Sequence, residues 1–309
     1  MNIVVLMSTY NGAANLKPQV RSILDQDVTH LSLIVRDDGS SDATPDILRR
    51  LAATEPRLDV HLGDNAGLPD AFFELFGMAP PDADVYLLSD QDDVWHADKV
   101  AVAARQVLSH RADTPVLYCS RVRLVSDAGA FLGLSPDRPF AGALGNALVE
   151  NICTGCTAAF NGALLKRLLQ AKSLDGIMFH DWWAYLVAAS FGTVIFDRDA
   201  RIDYRLHDHN VAGMPTSERN AFTRRLTQQR VSDRFTNLLA QAEAFAAVYG
   251  GDLAPDKRLL LDRLLALKQH RRAAFGLITE REIFRQSRRD DLVWRLALAL
   301  FGAGLIGTR

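Results

Sequence analysis

The first hundred residues alternate between short apolar segments and longer helical stretches, and this alternation limits the fold more than any other feature. "NIVVLMS", "LSLIVRDD", "LDVHLGD" and "VYLLSD" have strand character, and a stretch with helical character follows each of them. Such repeats predict an α/β fold, a Rossmann-like and mostly parallel central sheet with helices on its faces. A chain of 309 residues with 48% hydrophobic content can bury a sizeable core around it.

A cluster of polar residues follows each of these four strands. The clusters lie at residues 8–11, 37–41, 63–67 and 90–93. In an open α/β sheet, ligands bind outside the carboxyl ends of the strands. The four loops therefore predict one shared binding site.

The fourth cluster, "SDQDDVW", places Asp90, Asp92 and Asp93 within four residues. Carboxylates this close raise each other's pKa unless a cation compensates them. Hard divalent cations such as Mg²⁺ or Mn²⁺ prefer oxygen ligands of this kind. The alternative is an acidic cap on the helix predicted to begin near Ala97, because carboxylates favour helix N-termini. The residues alone leave both interpretations open.

The chain is expected to divide into an α/β domain over 1–213 and a helical region over 214–309. Between Pro115 and His209 the pattern is mixed, and beyond Met214 no segment has strand character. Charge divides in the same way: residues 1–215 carry 18 Lys/Arg against 27 Asp/Glu, whereas residues 216–309 carry 17 against 10. An acidic body with a basic tail predicts an anionic partner surface for the tail.

The tail is also amphipathic. Its apolar run from Leu296 to Ile306 is eleven residues long, whereas a membrane-spanning helix needs about 20. A basic amphipathic segment over 256–309 predicts a peripheral anchor on anionic lipid. Packing against the α/β domain, or against a second subunit in a homodimer, is the alternative.

Three cysteines without a secretory signal predict a reducing compartment and a cytoplasmic protein, peripheral on the inner face of the membrane if the tail binds lipid. Cys153 and Cys156 form a lone CxxC, which lacks two of the four ligands of a structural zinc site. Both are predicted to be small packing residues. No nucleic-acid partner is expected.

Seven segments in order resemble the GT-A fold glycosyltransferases of family 2, and most closely the rhamnosyltransferase branch of surface-polysaccharide assembly. They are "MSTYNGAANL", "VRDDGSSDAT", "GDNAGLPDAFFEL", "LLSDQDDVW", "NICTGCTAAFN", "HDWW" and "YRLHDHNVAG". The resemblance implies an inverting, metal-dependent enzyme. It would move a sugar, within this branch L-rhamnose from dTDP-rhamnose, from a nucleotide-diphosphate donor to a saccharide or lipid-linked acceptor. The donor would bind to about 1–115 and the acceptor to about 116–213.

The resemblance implies a donor site built from several of these loops. Tyr10 would stack on the base, and Asp38 would accept a hydrogen bond from the base or ribose. The full set of donor residues is Thr9, Tyr10, Asn11, Asp38, Asn65, Gly67, Asp90 and Arg205. The alternative for Tyr10 is that its ring packs under a neighbouring loop. For the segment after Asp38 the alternative is a helix cap by Ser40, Ser41 or Asp42, which is compatible with the donor role of Asp38.

The resemblance also implies a metal site and a catalytic base. Asp92 would be the main ligand of Mg²⁺ or Mn²⁺, with Asp90, Asp93 and His207 as further candidates. Asp181 would be the general base, and His180 precedes it where many relatives have Glu. The alternative for Asp181 is an N-cap of the following helix.

Two other functions fit an α/β fold, a nucleotidyltransferase and a non-catalytic nucleotide-sugar-binding protein. A nucleotidyltransferase usually has a glycine-rich, basic loop after its first strand, and "STYNGAANL" contains no basic residue. A binding protein would be favoured by the loss of Asp92 or Asp181, and both residues are present. The sequence therefore favours the glycosyltransferase.

Overall fold

A computed structural model describes residues 1–140, 142–206, 228–269 and 272–301. The strands are β1 Ile3–Thr9, β2 Leu31–Asp38, β3 Leu58–Gly63, β4 Val85–Ser89, β5 Val94–Trp95, β6 Val116–Ser120, β7 Arg123–Val125, β8 Phe131–Leu134, β9 Ala159–Phe160, β10 Thr193–Asp197 and β11 Ile202–Arg205. A seven-stranded sheet has the order β10-β6-β9-β4-β1-β2-β3, and a four-stranded sheet has the order β5-β11-β7-β8. In the larger sheet only β9 runs antiparallel to its neighbours. The predicted α/β fold is confirmed.

The first helices alternate with strands, as predicted, and the described elements after β11 are all helices. They are α1 Leu16–Leu24, α2 Thr44–Ala52, α3 Asp70–Met78, α4 Lys99–Leu108, α5 Leu144–Ala147, α6 Gly162–Leu168, α7 His180–Phe191, α8 Gln228–Tyr249, α9 Pro255–Leu265, α10 Ala273–Thr279 and α11 Arg288–Phe301, with 3-10 turns at Gly155–Thr157 and Ala266–Lys268. In the described part of the chain, every regular element after β11 is helical. Among the described helices, none combines the length and the hydropathy that crossing a bilayer requires.

The core lies on both faces of the larger sheet, as the strand β1 shows. Its side chains alternate between two apolar clusters: Val4 and Leu6 belong to one, and Val5 and Met7 belong to the other. All four are fully buried. A mostly parallel sheet that is covered on both faces needs apolar residues at successive positions, which explains the unbroken apolar runs of the sequence.

The C-terminal helices extend one of these clusters. Trp183 of α7 is fully buried, and its ring lies 5.6 Å from that of Phe245 and 5.9 Å from that of Tyr249 in α8. Leu264 of α9 and Trp294 of α11 belong to the same cluster. One face of the helical region therefore packs on the α/β part of the chain.

A buried carboxylate fastens the segment before α11 to the α/β part. Glu150 accepts hydrogen bonds from the Gln286 backbone at 2.6 Å and the Asn146 amide at 3.1 Å. Two arginines balance its charge, Arg138 at 3.1 Å and Arg285 at 3.7 Å. A single buried charge thus joins segments more than 130 residues apart.

Replacing Glu150 with glutamine should destabilise the protein by about 2 kcal/mol, because a buried charged pair loses one partner and leaves the other uncompensated. Urea denaturation measures this as a lower midpoint. Asp46→Asn is the matched control, since the Asp46 carboxylate pairs with Arg49 but is 63% exposed and should contribute less than about 0.5 kcal/mol. Equal midpoints for the two variants would contradict the role given to Glu150.

Candidate active site

The loops after β1 and β2 hold each other in place. The Thr9 hydroxyl donates to Asp37 Oδ1 at 2.9 Å, and Asp37 Oδ2 accepts from the Ser40 backbone at 2.9 Å. Asn11, with φ 48°, donates its backbone N–H to the Ser40 hydroxyl at 2.8 Å. Its side-chain oxygen accepts from the Ser41 backbone at 2.8 Å. Two of the predicted donor residues, Thr9 and Asn11, are therefore fixed at one edge of the sheet.

Tyr10 joins the first loop to the fourth. Its ring is 50% exposed, so the alternative in which it packs under a neighbouring loop is not what the structure shows. Its backbone N–H and C=O pair with the side-chain amide of Gln91 at 2.8 and 2.9 Å. A Cβ at Gly12 would lie 2.1 Å from Gln91 Oε1, so a larger residue there would displace the Gln91 amide from its present position.

Asp38 holds the third loop. Its carboxylate accepts from the backbones of Ala66 and Gly67 at 2.8 Å each and pairs with Arg36. Burial alone would raise the pKa of Asp38, but these hydrogen bonds together keep it below the ordinary value. Asn65 is exposed on the same loop. The structure thus brings Asp38, Asn65 and Gly67 together, with protein donors on both Asp38 oxygens.

Of the three capping candidates, Asp42 contacts the start of the next helix. Helix α2 begins at Thr44, and Asp42 Oδ1 accepts from the Thr44 backbone at 2.9 Å. Asp37 and Asp38 lie at the end of β2 instead.

The acidic loop after β4 does not cap a helix. Helix α4 begins at Lys99 with no acidic residue in its first turn. Instead, ligand atoms of Asp90, Asp93 and Cys156 lie within 4.8 Å of one another. Asp93 is 1% exposed, and its Oδ2 has no hydrogen-bond partner among the described residues. The Sγ atom of Cys156, a residue predicted only to pack, therefore lies within 4.8 Å of both carboxylates.

Burial and mutual repulsion dominate the electrostatics of this loop. Burial, followed by the charge of Asp92, raises the pKa of Asp93 to about 7. Burial and the charges of Asp93, Asp92 and Asp181 raise the pKa of Asp90 well above its ordinary value. A divalent cation would offset this excess of negative charge, and an orphaned buried oxygen beside a second carboxylate fits Mg²⁺ or Mn²⁺.

A buried lysine lies under the cluster. Lys99 is 3% exposed, and its Nζ lies 3.4 Å from the centroid of the Trp95 ring. Burial lowers the pKa of Lys99 to about 7, against the opposing effects of Cys156 and Asp93. Lys99 cannot be identified from the sequence, because a lysine in a predicted helix carries no sign that it is buried.

Arg205 lies beside the acidic loop. Its side chain donates to the backbone oxygens of Asp92 at 3.1 Å and Asp127 at 2.8 Å, and its backbone N–H donates to Asp93 at 3.4 Å. Asp92 is half-buried and lies outside the group formed by Asp90, Asp93 and Cys156. The predicted ligand His207 lies outside the described residues.

Asp181 is the second residue of α7, whose N-cap is Phe179. Its carboxylate accepts from the Trp182 backbone at 2.7 Å, and the nearby Asn151 side chain and Gly155 backbone act to lower its pKa. Burial nevertheless raises the pKa of Asp181 to about 6. The residue is therefore not the N-cap of the helix, and its negative charge is the smallest of the effects that raise the pKa of Asp90.

His180 is 5% exposed and stacks on Phe72, with ring centroids 3.7 Å apart. Neither ring nitrogen has a hydrogen-bond partner in the described part of the chain. Burial lowers the pKa of His180 to about 3, so its imidazole is neutral near pH 7. A Cβ at Gly155 would lie 3.1 Å from Nε2. Glycine at this position therefore keeps close contacts away from the ring.

The fold and the acidic strand-end site define a GT-A-like α/β protein. A model of glycosyl transferase family 2 matches residues 4–169, more than half of the chain. The chain belongs to this family and is a glycosyltransferase, as its sequence predicts.

Named relatives support this assignment. The chain is 26% identical over 230 residues to the dTDP-rhamnosyl transferase RfbG of Shigella flexneri, covering 71% of this chain and 77% of RfbG. It is 32% identical over 99 residues to a putative teichuronic acid biosynthesis glycosyltransferase, TuaG of Bacillus subtilis, covering 32% and 38% of the two chains. Its fold is similar to that of S. aureus TarS 1–349 in complex with UDP-GlcNAc, with a TM-score of 0.59 and 18% identity over 96% of this chain and 79% of TarS 1–349.

Proposed function

We propose that the protein is an inverting, divalent-metal-dependent glycosyltransferase of cell-surface polysaccharide synthesis. It moves a sugar from a nucleotide-diphosphate donor to a saccharide or lipid-linked acceptor, and L-rhamnose from dTDP-rhamnose is the proposed donor sugar. The observation that carries this proposal is the acidic loop after β4, where ligand atoms of Asp90, Asp93 and Cys156 lie within 4.8 Å of one another. The loop lies beside Gly155, where a Cβ would be 3.6 Å from Oδ2 of the half-buried Asp181. The likeness to RfbG over 71% of the chain supports the choice of sugar.

The donor nucleotide would lie across the loops after β1, β2 and β3. The half-exposed Tyr10 ring offers a face on which a base stacks. Thr9, Asn11 and Asp38 shape the proposed nucleotide site through the hydrogen bonds that join these loops. The backbone around Asn65 and Gly67, which the Asp38 carboxylate holds in place, forms the other side of this site.

The donor diphosphate would lie at the acidic loop. A bound Mg²⁺ or Mn²⁺ supplies charge that stabilises the diphosphate leaving group. Asp92 is the proposed main ligand, because its half-buried side chain lies nearer the surface than that of Asp93. Asp90 is the second proposed ligand of the cation. Asp93 and His207 are further proposed ligands. Arg205, which donates to the Asp92 backbone oxygen, is the proposed contact to the diphosphate, since a guanidinium binds phosphate well.

Asp181 would take the proton of the attacking acceptor hydroxyl. As the acceptor oxygen bonds to the anomeric carbon, the bond to the diphosphate breaks on the opposite side and the proton moves to an Asp181 oxygen. A pKa of about 6 suits this task, since the carboxylate is mostly ionised at neutral pH yet still basic. His180 is the second proposed catalytic residue: it is neutral, and its buried ring nitrogens have no hydrogen-bond partner among the described residues.

The proposed functions are assigned to successive parts of the chain. Residues 1–213 form the proposed catalytic domain, with the donor on about 1–115 and the acceptor on about 116–213. Residues 214–309 form a proposed helical, basic extension.

A transfer assay with a panel of nucleotide sugars and a saccharide acceptor, with and without Mn²⁺, tests the proposal. Metal-dependent release of nucleotide diphosphate, highest with dTDP-rhamnose, is the expected result, and NMR of the product should show the inverted anomeric configuration. Release that is equal with and without chelator would refute metal dependence. A retained configuration would refute the inverting mechanism.

A thermal melt should show that Mn²⁺ stabilises the protein more at pH 7.5 than at pH 5. The folded-state pKa of Asp93 and Asp181 is raised to about 7 and about 6, so the folded protein binds more protons than the unfolded chain between about pH 4 and pH 7. Stability from these groups therefore falls as the pH rises through that window. At pH 7.5 a bound cation relieves the repulsion between the carboxylates. A free Mn²⁺ concentration of about 100 times its dissociation constant should raise the free energy of unfolding by about 2.7 kcal/mol.

The control for this melt is the double variant Asp90→Asn/Asp93→Asn, which lacks two of the charges that the cation would offset. Its melting temperature should respond less to Mn²⁺ at pH 7.5. A wild-type shift that is the same at pH 5 and pH 7.5 would contradict the prediction.

A further inference from the structure

The outward face of α11 is apolar. Leu292, Leu296 and Leu300 are 59%, 52% and 72% exposed, and their spacing of four residues places them in one stripe along the helix. Trp294 and Leu298, on the opposite face, are buried in the core. A surface helix normally turns its polar side to water. An exposed apolar stripe of this kind marks an interaction surface.

Arginines accompany the stripe. A cavity of about 350 Å³ is lined by Phe140, Arg281, Phe284, Arg285, Arg288 and Asp291. The single acidic group of this cavity, Asp291, already accepts from Arg295 and from the Arg285 backbone. Within the described residues, Arg281 and Arg288 have no ion-pair partner, whereas Arg285 pairs with Glu150 at 3.7 Å and only its Nε lacks a hydrogen-bond acceptor. The cavity therefore has an excess of positive charge.

A second apolar group lies on the neighbouring helix. Phe275 of α10 is 71% exposed, and α10 packs directly against α11. The residue beside it, Gly276, lines another cavity together with Arg281. Large apolar side chains therefore lie on this packed pair of helices close to Arg288, at the start of α11, and to Arg281, in the segment that joins them. Glu280 and Glu282 also line the cavity that contains Arg281.

We propose that this face, formed by Leu292, Leu296 and Leu300 with Arg281 and Arg288, docks on a bilayer that contains anionic phospholipid. Leucines of an interfacial helix enter the boundary between headgroups and acyl chains, and arginines bind lipid phosphates. Such a bilayer complements both the apolar and the basic part of the face. A second copy of this chain would offer the same leucines and the same arginines, so its charge would not complement this face.

Co-sedimentation of the full chain with phosphatidylcholine vesicles, with and without about 30% phosphatidylglycerol, tests the proposal. The wild type should bind the anionic vesicles. The triple variant Leu292→Gln/Leu296→Gln/Leu300→Gln should bind them about 30-fold or more weakly, because each leucine loses its apolar contact with lipid. The matched control is Leu62→Gln/Leu108→Gln/Leu169→Gln, whose leucines are 45%, 45% and 39% exposed. It should bind like the wild type.

A charge variant tests the basic part of the face separately. Arg281→Gln/Arg288→Gln should weaken binding to the anionic vesicles by about fivefold for each charge, since a basic residue near an anionic surface contributes about 1 kcal/mol. Binding to neutral vesicles should not change. The control Arg21→Gln/Arg49→Gln removes two exposed arginines of the α/β part and should have no effect on either.

Three results would overturn the proposal. The first is a wild type that does not bind anionic vesicles, and the second is a leucine variant that binds as tightly as the wild type. The third is a wild-type dimer in analytical ultracentrifugation that the leucine variant dissolves, because the face would then belong to a second copy. The single variant Leu300→Gln keeps the test valid if the triple variant misfolds. It should bind the anionic vesicles about threefold more weakly than the wild type, and its melting temperature should be unchanged.

Discussion

Replacing Asp181 with asparagine should slow sugar transfer by about 10²- to 10⁴-fold while donor affinity stays near that of the wild type. Asparagine keeps the shape of the side chain, and its oxygen can still accept from the Trp182 backbone, as Asp181 does at 2.7 Å. It cannot take a proton from the acceptor hydroxyl. A donor titration and a transfer assay on the purified variant measure the two quantities separately.

The pH dependence of the wild type provides a second readout for the same residue. Because burial raises the pKa of Asp181 to about 6, a base at this position is protonated and inactive at lower pH. The wild-type transfer rate should therefore be constant above about pH 6 and decrease as the pH is lowered further. The residual rate of Asp181→Asn should not show this decrease. Near-normal transfer by the variant would assign the base elsewhere, and His180 would be the next residue to replace.

Most of the fold could be predicted because its signals are local. The apolar runs of β1 to β4 and the helical stretches between them appear directly in the order of residues, and their parallel pairing follows from the alternation. The short strand β9 is different. Its two residues, Ala159 and Phe160, insert antiparallel between β4 and β6. Two apolar residues carry no periodicity, so nothing in the sequence distinguishes such a strand from a buried loop.

The site could be predicted only in part, for the same physical reason. The strand-end clusters are contiguous in sequence, so Asp90, Asp92 and Asp93 were visible at once. Cys156 reaches Asp93 from more than 60 residues away, and only the fold shows that contact. Gln91 was visible between two aspartates, but its pairing with the Tyr10 backbone depends on the distance between β1 and β4.

The tail shows a similar limit. Its amphipathic character was predicted, and one face does pack on the α/β part of the chain through residues such as Trp294 and Leu298. The leucines of α11 have similar local sequence surroundings, so the sequence alone could not separate the buried Leu298 from the exposed Leu296. That distinction depends on which face of the helix meets α10 and the core.

Replacing Asp92 with alanine should weaken metal-dependent donor binding by about 100-fold or more, because even the outer-shell partners of metal ligands typically contribute 10- to 100-fold. Asp92 lies half-buried in a loop after β4, so its loss should leave the melting temperature nearly unchanged. Calorimetric titration with a nucleotide-diphosphate sugar, in Mn²⁺ and in chelator, measures the effect. The chelator sample isolates the contribution of the cation.

Two further variants decide which carboxylates hold the cation. Asp93 is 1% exposed, so Asp93→Asn should reduce donor affinity less than Asp92→Ala does if the donor diphosphate and the metal meet at the surface of the loop. Cys156→Ser should change Mn²⁺ affinity by less than about threefold, because a hard cation gains little from a thiol. Full donor affinity in Asp92→Ala, together with its loss in Asp93→Asn, would instead place the cation among Asp90, Asp93 and Cys156. The cation would then lie beneath the loop, within the group that already contains an orphaned buried oxygen.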